Sequence, residues 1–348
     1  MLDSRKVVPF SLLTDAVGSC PHRLQQRCRL NLREWPGSHM KPSAFDYIRV
    51  DTLDEALSVL ADSDLEAKVL AGGQSLLPML NMRLAQPKAL LDINRLVALA
   101  TLGPLETNLA GVAAQGPGAA FLEVGALVRQ RQLERYALEE ERTRLIHTAL
   151  TYVGHPQTRN QGTVGGSLAH ADPSAELPLL FLTLGGTAII QSTRGERQVA
   201  AEEFFQSYFT TAIERGEMLT KTLWRLPVPN EGMAFKEFRR RHGDFALLAA
   251  ACTMKLGSDR KVQHVRLGLG GLADTPLLVD EVRELVGEHW AKERARAIAG
   301  AVVNRLDFAD DYQASSSYRR QLASVLIASV LEAAYEDALA KEDLLCEH

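Results

Sequence analysis

Apolar and polar positions become regular only from Phe45. Phe45-Asp-Tyr-Ile-Arg-Val50 alternates with the period of a strand. Thr52-Leu-Asp-Glu55 then has the form of a capping box, and Leu53, Ala56, Leu57 and Leu60 fall at helical spacing. Val69-Leu70-Ala71 reads as a short buried strand, Ser75 can cap a helix opening at Leu76, and Ala89-Leu-Leu-Asp-Ile93 gives another strand. Residues 41–95 therefore predict a small β-α-β-α-β unit. From 96 to 225, short strands (Leu109–Val112, Phe121–Val124, Thr187–Gln191) mix with helices near Leu127–Ala137 and Arg142–Val153. No helix separates every pair of strands, which predicts an α+β domain rather than a doubly wound one. Pro227 and Pro229 mark a boundary. Beyond it, Ala234–Arg240, Phe245–Leu256 and Lys261–Leu269 read as strands, and helical stretches at about 280–299 and 315–341 close a second α+β unit. The expected domains span 40–226, in subdomains of about 40–95 and 96–226, and 227–340.

Residues 1–39 lack this periodicity and carry six basic side chains, from Arg5 and Lys6 to Arg33. Gly37-Ser-His-Met40 has the form left by cleavage of a purification tag. The segment is set aside as an expected disordered extension or tag-derived segment, with a native start expected at Met40. At 348 residues and 46% hydrophobic content, the chain has ample material for real cores. A net charge of −4 leaves no electrostatic footprint for nucleic acid, and no apolar run is long enough to span a membrane. Four scattered cysteines (Cys20, Cys28, Cys252, Cys346) form neither a disulfide framework nor a metal or cluster motif. A cytoplasmic protein with an organic cofactor is the expectation, with no metal site.

Two glycine pairs carry the candidate chemistry. Lys68-Val-Leu-Ala-Gly-Gly-Gln-Ser75 places Gly72-Gly73 between a strand and a helix N-terminus, where bare amides suit a phosphate. Thr163-Val-Gly-Gly-Ser167 repeats the device, with hydroxyls flanking Gly165-Gly166 and with Asp172 and Glu176 following. Phosphates want amide and hydroxyl donors; a ribose or ribityl chain wants a carboxylate acceptor. Either loop alone reads as an ordinary turn, but the two together read as a grip on the two halves of a dinucleotide. Other features are weaker. Gly268-Leu-Gly-Gly-Leu-Ala273 matches a nicotinamide-dinucleotide fingerprint formally, yet Asp274-Thr-Pro276 follows, so it reads as a strand end. His155, His170 and His242 lack partners at metal spacing and read as hydrogen-bonded surface or pocket histidines. Arg239-Arg-Arg241 reads as a solvated strand end or a partner contact, and Cys252 as an inert core thiol.

These stretches resemble the FAD-binding medium subunit of the molybdenum hydroxylases, the family of xanthine dehydrogenase and carbon monoxide dehydrogenase. The likeness rests on Ala71-Gly-Gly-Gln-Ser75 and Thr163-Val-Gly-Gly-Ser-Leu-Ala-His-Ala-Asp-Pro173. Phe204-Phe205, Thr211-Ala212, Glu217 and Phe235-Lys236…Asp244 add to it, and it runs from about Met40 to about residue 338. It implies a two-subdomain FAD-binding domain of the vanillyl-alcohol-oxidase (PCMH) type, followed by a C-terminal α+β domain of the carbon monoxide dehydrogenase flavoprotein type. By position, Lys68, Val69, Leu70, Ala71, Gly72, Gly73, Gln74 and Ser75 would form the pyrophosphate loop, and Thr163, Gly165, Gly166 and Ser167 the second loop. Glu176 and Lys236 would contact the flavin, Leu219 would meet its ring, and Tyr208 or Phe209 would stand nearby. The implied partners are a small [2Fe-2S] iron–sulfur subunit and a large molybdopterin subunit, in a dimer of heterotrimers, with an external electron acceptor. The implied substrate is an aromatic N-heterocycle, handled on another subunit, so no catalytic residue is expected in this chain. A stand-alone FAD-dependent oxidoreductase of the same fold, and a flavin-free scaffold, are the alternatives.

Overall fold

The computed structural model describes residues 41–105, 120–228 and 230–346, so the expected strand at Leu109–Val112 and the segment 1–39 lie outside the described residues. The first unit is the expected β-α-β-α-β: β1 (Asp46–Arg49), α1 (Leu53–Ala61), β2 (Ala67–Leu70), α2 (Leu76–Asn81) and β3 (Ala89–Asp92). All three strands run parallel, with β3 between β1 and β2, so that Ala89 faces Asp46 on one side and Ala67 on the other. The capping box of α1 forms as predicted. The Glu55 amide donates to Thr52 Oγ1 and the Thr52 amide to Glu55 Oε2, both at 3.3 Å.

Ser75 departs from expectation. It precedes α2 in helical conformation, and its side chain makes no capping hydrogen bond. The third helical residue is Pro78, which has no amide to cap, and the Leu77 amide already donates to the Gly73 carbonyl at 3.1 Å.

The second unit is a five-stranded antiparallel sheet built from β4 (Leu102–Pro104), β5 (Ala120–Gly125), β6 (Thr187–Ser192), β7 (Gly195–Ala200) and β10 (Met218–Leu226). Its order is β4-β5-β10-β6-β7. The helices α3 (Gln130–Glu139), α4 (Arg144–Leu150), α5 (Pro156–Gln161), α6 (Val164–His170) and α7 (Glu176–Thr183) join β5 to β6. After β7 come the single turn α8 (Ala201–Phe204) and a small hairpin, β8 (Phe205–Ser207) and β9 (Thr210–Thr211). Trp224, Phe181, Phe204 and Phe205 interlock edge to face in the centre of this core, with ring centroids 5.1–6.3 Å apart.

The third unit is a four-stranded antiparallel sheet, β11 (Glu231–Phe238), β12 (Leu248–Leu256), β13 (Val262–Gly270) and β14 (Leu277–Leu278). It packs against α9 (Lys292–Arg305) and α10 (Ser316–Cys346). The helix expected over about 280–299 begins only at Lys292. Asp280–Leu285 is a 3-10 turn, and Gly287, at φ +85°, turns the chain back so that its amide and the Glu288 carbonyl both pair with Val262. Gly268 to Gly270 end β13, and residues 271–273 lead out of it, so the stretch is a strand end as the sequence suggested.

Every residue of α7 is buried, because the helix lies between the second and third sheets. Its leucines share one core with Met233, Phe235 and Ala251. At the boundary, Arg225 and Glu231 form a buried bidentate pair at 2.9 and 3.1 Å, and Glu231 also accepts the Val228 amide at 3.1 Å. Burial opposes ionisation of Glu231, yet the Arg225 bonds outweigh it and hold the carboxyl below its ordinary range. The two sequence domains are thus joined by packing and by charge.

Candidate cofactor-binding site

A cleft of about 630 Å³ opens between the first unit and the second. Three stretches wall it: Lys68–Met79, Gly162–His170 and Phe209–Leu219. The structure brings Lys68, Val69, Ala71, Gly72, Gly73, Gln74, Ser75, Thr163, Gly165, Gly166, Ser167 and Leu219 to its surface. Leu70, Asp172, Glu176 and Lys236 do not line it.

The two glycine loops touch. A β-carbon on Gly72 would run into the Gln161 carbonyl oxygen and lie 2.8 Å from the Gly162 Cα, so the missing side chain is dictated by the other loop. Gly73 has a different reason, a φ of +70°. A β-carbon on Gly165 would lie 2.5 Å from the Ala126 β-carbon, which packs α6 onto the turn after β5. At Gly166 the one close atom would be Thr163 Oγ1, at 2.6 Å, and the rest is open cleft.

Amide bonding separates the loops further. In the second, Val164 donates to Val128, Gly165 to Ala126, Gly166 to Thr163 Oγ1 and Ser167 to the Thr163 carbonyl, at 2.9–3.1 Å. In the first, the amides of Gly72, Gly73, Gln74 and Ser75 find no acceptor among the described residues. Consecutive free amides in a turn form an anion-binding concavity. The expectation of bare amides in both loops therefore becomes one loop with free amides and one braced wall, and Ser167 of that wall lines the cleft.

Sequence reasoning missed one contributor and gave another no role. Gln130, at the start of α3, lines the cleft at 6% exposure, and its Oε1 has no hydrogen-bond partner among the described residues. A buried acceptor of this kind is expensive unless a ligand donor meets it. Glu217 was noted only as part of the resemblance. Its carboxylate takes a bidentate bond from Arg197 at 2.6 and 2.9 Å and accepts the Glu214 amide at 2.8 Å, fixing the third wall. Those hydrogen bonds, Arg197 foremost, hold it below the ordinary carboxylate range.

Phe209 lines the cleft with φ +51° and packs against His170 at 4.9 Å. Burial lowers the His170 pKa, so the ring is neutral at physiological pH. His155 and His242 stack on each other at 5.5 Å.

The remaining candidates sit at the junction with the third unit. Asp172 forms a turn by accepting the Ser174 amide at 2.9 Å. Lys236 bonds Ser329 of α10. Glu176 is buried at the start of α7 and pushed up to about 8, by desolvation first and then by the charge of Glu237. The Glu237 side chain is wholly buried, neither oxygen has a hydrogen-bond partner among the described residues, and desolvation pushes it up to about 7. Arg239 is not a solvated strand end. It lies over the Tyr152 ring at 4.9 Å, donates to the Tyr152 carbonyl at 2.6 Å and stands 3.7 Å from Glu237. Cys252 is fully buried, and desolvation raises its thiol far above the reactive range.

Residues 43–228 match the family described as "FAD binding domain in molybdopterin dehydrogenase", and residues 233–334 match "CO dehydrogenase flavoprotein C-terminal domain". The chain belongs to the FAD-binding medium subunits of the molybdenum hydroxylases. It is 35% identical to the 6-hydroxypseudooxynicotine dehydrogenase complex subunit alpha of Paenarthrobacter nicotinovorans, over 86% of this chain and 97% of that one. Carbon monoxide dehydrogenase from Hydrogenophaga pseudoflava superposes with a TM-score of 0.78 at 29% identity, over 86% of this chain and 99% of that one. Quinoline 2-oxidoreductase from Pseudomonas putida 86 superposes with a TM-score of 0.77 at 33% identity, over 86% and 99%. This medium subunit is an FAD-binding oxidoreductase component, with the two-domain α+β fold of its family. Among the described residues, no helix is long and apolar enough to cross a membrane.

Proposed function

We propose that this medium subunit takes electrons from the [2Fe-2S] clusters of a small partner subunit and passes them to an external acceptor. A large molybdopterin subunit would carry out the hydroxylation, the whole assembling in the cytoplasm as a dimer of heterotrimers. The observation that carries this reading is the cleft itself. Four free amides at Gly72–Ser75 share the cleft lining with Ser167 and with Gln130, whose buried Oε1 has no hydrogen-bond partner among the described residues. That set offers donors for an anionic pyrophosphate and an acceptor for a polyhydroxyl or heterocyclic donor, which is what FAD requires. Bound there, FAD would supply the exchange between one-electron and two-electron transfer.

The chain's own part is to hold and orient. Gly72–Ser75 would cradle the pyrophosphate with Lys68 adding positive charge, and Thr163, Gly165, Gly166 and Ser167 would form the facing wall. Leu219 would supply an apolar contact from the second unit, and Val69 and Ala71 line the cleft from the first. None of Leu70, Asp172, Glu176 and Lys236 lines the cleft, so the cofactor roles of Leu70 and Lys236 rest on the resemblance alone, and those of Asp172 and Glu176 on their place after the second glycine pair and on the resemblance. The quinoline in one neighbour's name supports an aromatic N-heterocycle as the substrate of the complex, selected on the large subunit.

The test is to purify the protein, record its visible spectrum and identify what co-purifies. A non-covalent flavin is expected, reducible by a small reductant, together with iron–sulfur and molybdopterin subunits. Substrate-dependent reduction of the flavin should require both partners. Turnover of an organic substrate by the isolated chain would overturn the relay in favour of a free-standing flavoenzyme.

A further inference from the structure

A chain of hydrogen bonds crosses from the first unit to the second beside the two glycine loops. It begins at Tyr47 of β1, whose hydroxyl donates to Asp92 at the end of β3. Burial opposes ionisation of Asp92, but bonds from Tyr47 and Asn94 outweigh it and hold the carboxyl below its ordinary range. Asp92 Oδ1 accepts the Asn94 amide at 2.9 Å and Asn94 Nδ2 at 2.7 Å, which fixes the Asn94 side chain. That same Nδ2 donates to the Ala71 carbonyl at 2.9 Å, immediately before the first glycine pair. Asn94 Oδ1 accepts Arg129 Nη2 at 2.8 Å, and Arg129 Nη1 donates to the Gln161 carbonyl. Gln161 precedes the second loop, and its carbonyl is the group against which Gly72 is pressed.

We propose that Asn94 and Arg129 are positioning residues that set the spacing of the two glycine loops, and with it the width of the cofactor cleft. The proposal rests on the FAD reading only for the identity of the ligand. Each side chain spends its geometry on this task. Asn94 uses its amide nitrogen on one loop and its amide oxygen on Arg129. Arg129 spreads its guanidinium over acceptors from both units, which a lysine ammonium cannot reproduce in a single plane. Gly72 permits the close approach, and the Asn94–Arg129 link enforces it. The surrounding backbone is consistent, since the Gln130 amide donates to Gly162 at 2.9 Å and Arg129 pairs with Thr163 as an isolated bridge. Fixing the loops before the ligand arrives lowers the ordering cost of binding.

The test uses the full chain with Arg129→Met, Arg129→Lys, Asn94→Ala and the Arg129→Met/Asn94→Ala double variant. FAD affinity is measured by titration, and hydrogen exchange is measured on the FAD-free proteins. Each single variant to Met or Ala should weaken FAD binding about tenfold or more. The double variant should be no worse than the weaker single, because either change breaks the same link. Arg129→Lys should recover part of the loss. Exchange should quicken in peptides covering 67–77 and 156–166 and stay unchanged in the third unit. Additive losses, or exchange that quickens throughout the chain, would show a general structural role and overturn the proposal. So would variants that keep wild-type affinity and wild-type exchange. Where a variant is too unstable to isolate, Arg129→Lys and the exchange comparison still decide. Failure of the wild-type chain to bind FAD would overturn the flavin reading instead, with the exchange data judging the link on its own.

Discussion

At Gly72-Gly73 four consecutive amides are left without a protein acceptor among the described residues, whereas from Val164 to Ser167 every amide is already bonded. The first loop follows a strand and turns through a positive φ at Gly73; the second is locked by Thr163 Oγ1 and by carbonyls of the turn after β5. A glycine pair therefore has two physical meanings. One glycine of each pair removes a clash with the protein's own backbone, Gly72 against the second loop and Gly165 against Ala126. The others answer different needs, a left-handed turn at Gly73 and an open cleft at Gly166.

The largest expected effect separates Gly165 from its neighbour. Gly165→Val drives a branched side chain into Ala126, and neither backbone can yield, so stability should fall by about 3 kcal/mol. In a domain of this size that is a drop of roughly 6–12 °C in melting temperature. Gly166→Val displaces only the Thr163 hydroxyl, a loss of about 1 kcal/mol at most for a cap. It should melt within a few degrees of wild type while losing the flavin absorbance. Equal melting losses in the two variants, measured on FAD-free protein, would erase the distinction.

Gly72→Ala comes next. Its new methyl meets the Gln161 carbonyl, so the loops must part, and FAD affinity should fall about tenfold or more with a smaller loss of stability. Gly73→Ala instead forces a left-handed alanine, at about 1 kcal/mol, and should lower melting temperature more than affinity. Titration and melting of the same two proteins would reveal any reversal of that order.

The parallel β-α-β-α-β unit and the paired glycine loops were legible because periodicity and small residues are local signals. The capping box at Thr52 was legible for the same reason. The failure of Ser75 as a cap was readable in principle, because Pro78 removes the amide it would bind. By contrast, Gln130, Asn94 and Arg129 carry no sequence mark. Their roles follow from which carbonyls the fold brings within reach, and a polar residue before a helix looks the same whether it bonds water or a distant loop. The same holds for Arg239, whose charge run suggested solvent but whose side chain is spent on Tyr152 and beside Glu237.

The buried Glu237 offers a contrast with the well-bonded Glu231 only a few residues away. Glu237 is pushed up to about 7 in the folded state, above its ordinary value, so the native chain holds a proton that the unfolded chain has lost. Its contribution to stability is therefore present below the ordinary carboxylate pKa and is lost as pH rises through about 7. Glu237→Gln keeps the shape and removes the titration. It should melt about 2–4 °C above wild type at pH 8 and close to wild type at pH 5. A pH-independent difference would mean that packing, not charge, governs the site.

The smallest effects are expected at the two loop serines, and Ser167 bears most directly on the braced loop. Its amide is committed to the Thr163 carbonyl at 3.1 Å, so Ser167→Ala leaves the backbone of α6 intact. The side chain lines the cleft, and the substitution removes one hydroxyl without opening a cavity in a core. Stability of the FAD-free protein should therefore stay within about 0.5 kcal/mol of wild type. If the second loop contributes through side-chain donors rather than amides, FAD binding should weaken by about three- to tenfold, the worth of one hydrogen bond. The same change at Ser75 is the control, because the first loop contributes through its amides and should lose less. A Ser75→Ala loss equal to or greater than that of Ser167→Ala, in parallel FAD titrations, would show that the two loops hold the cofactor by the same means after all.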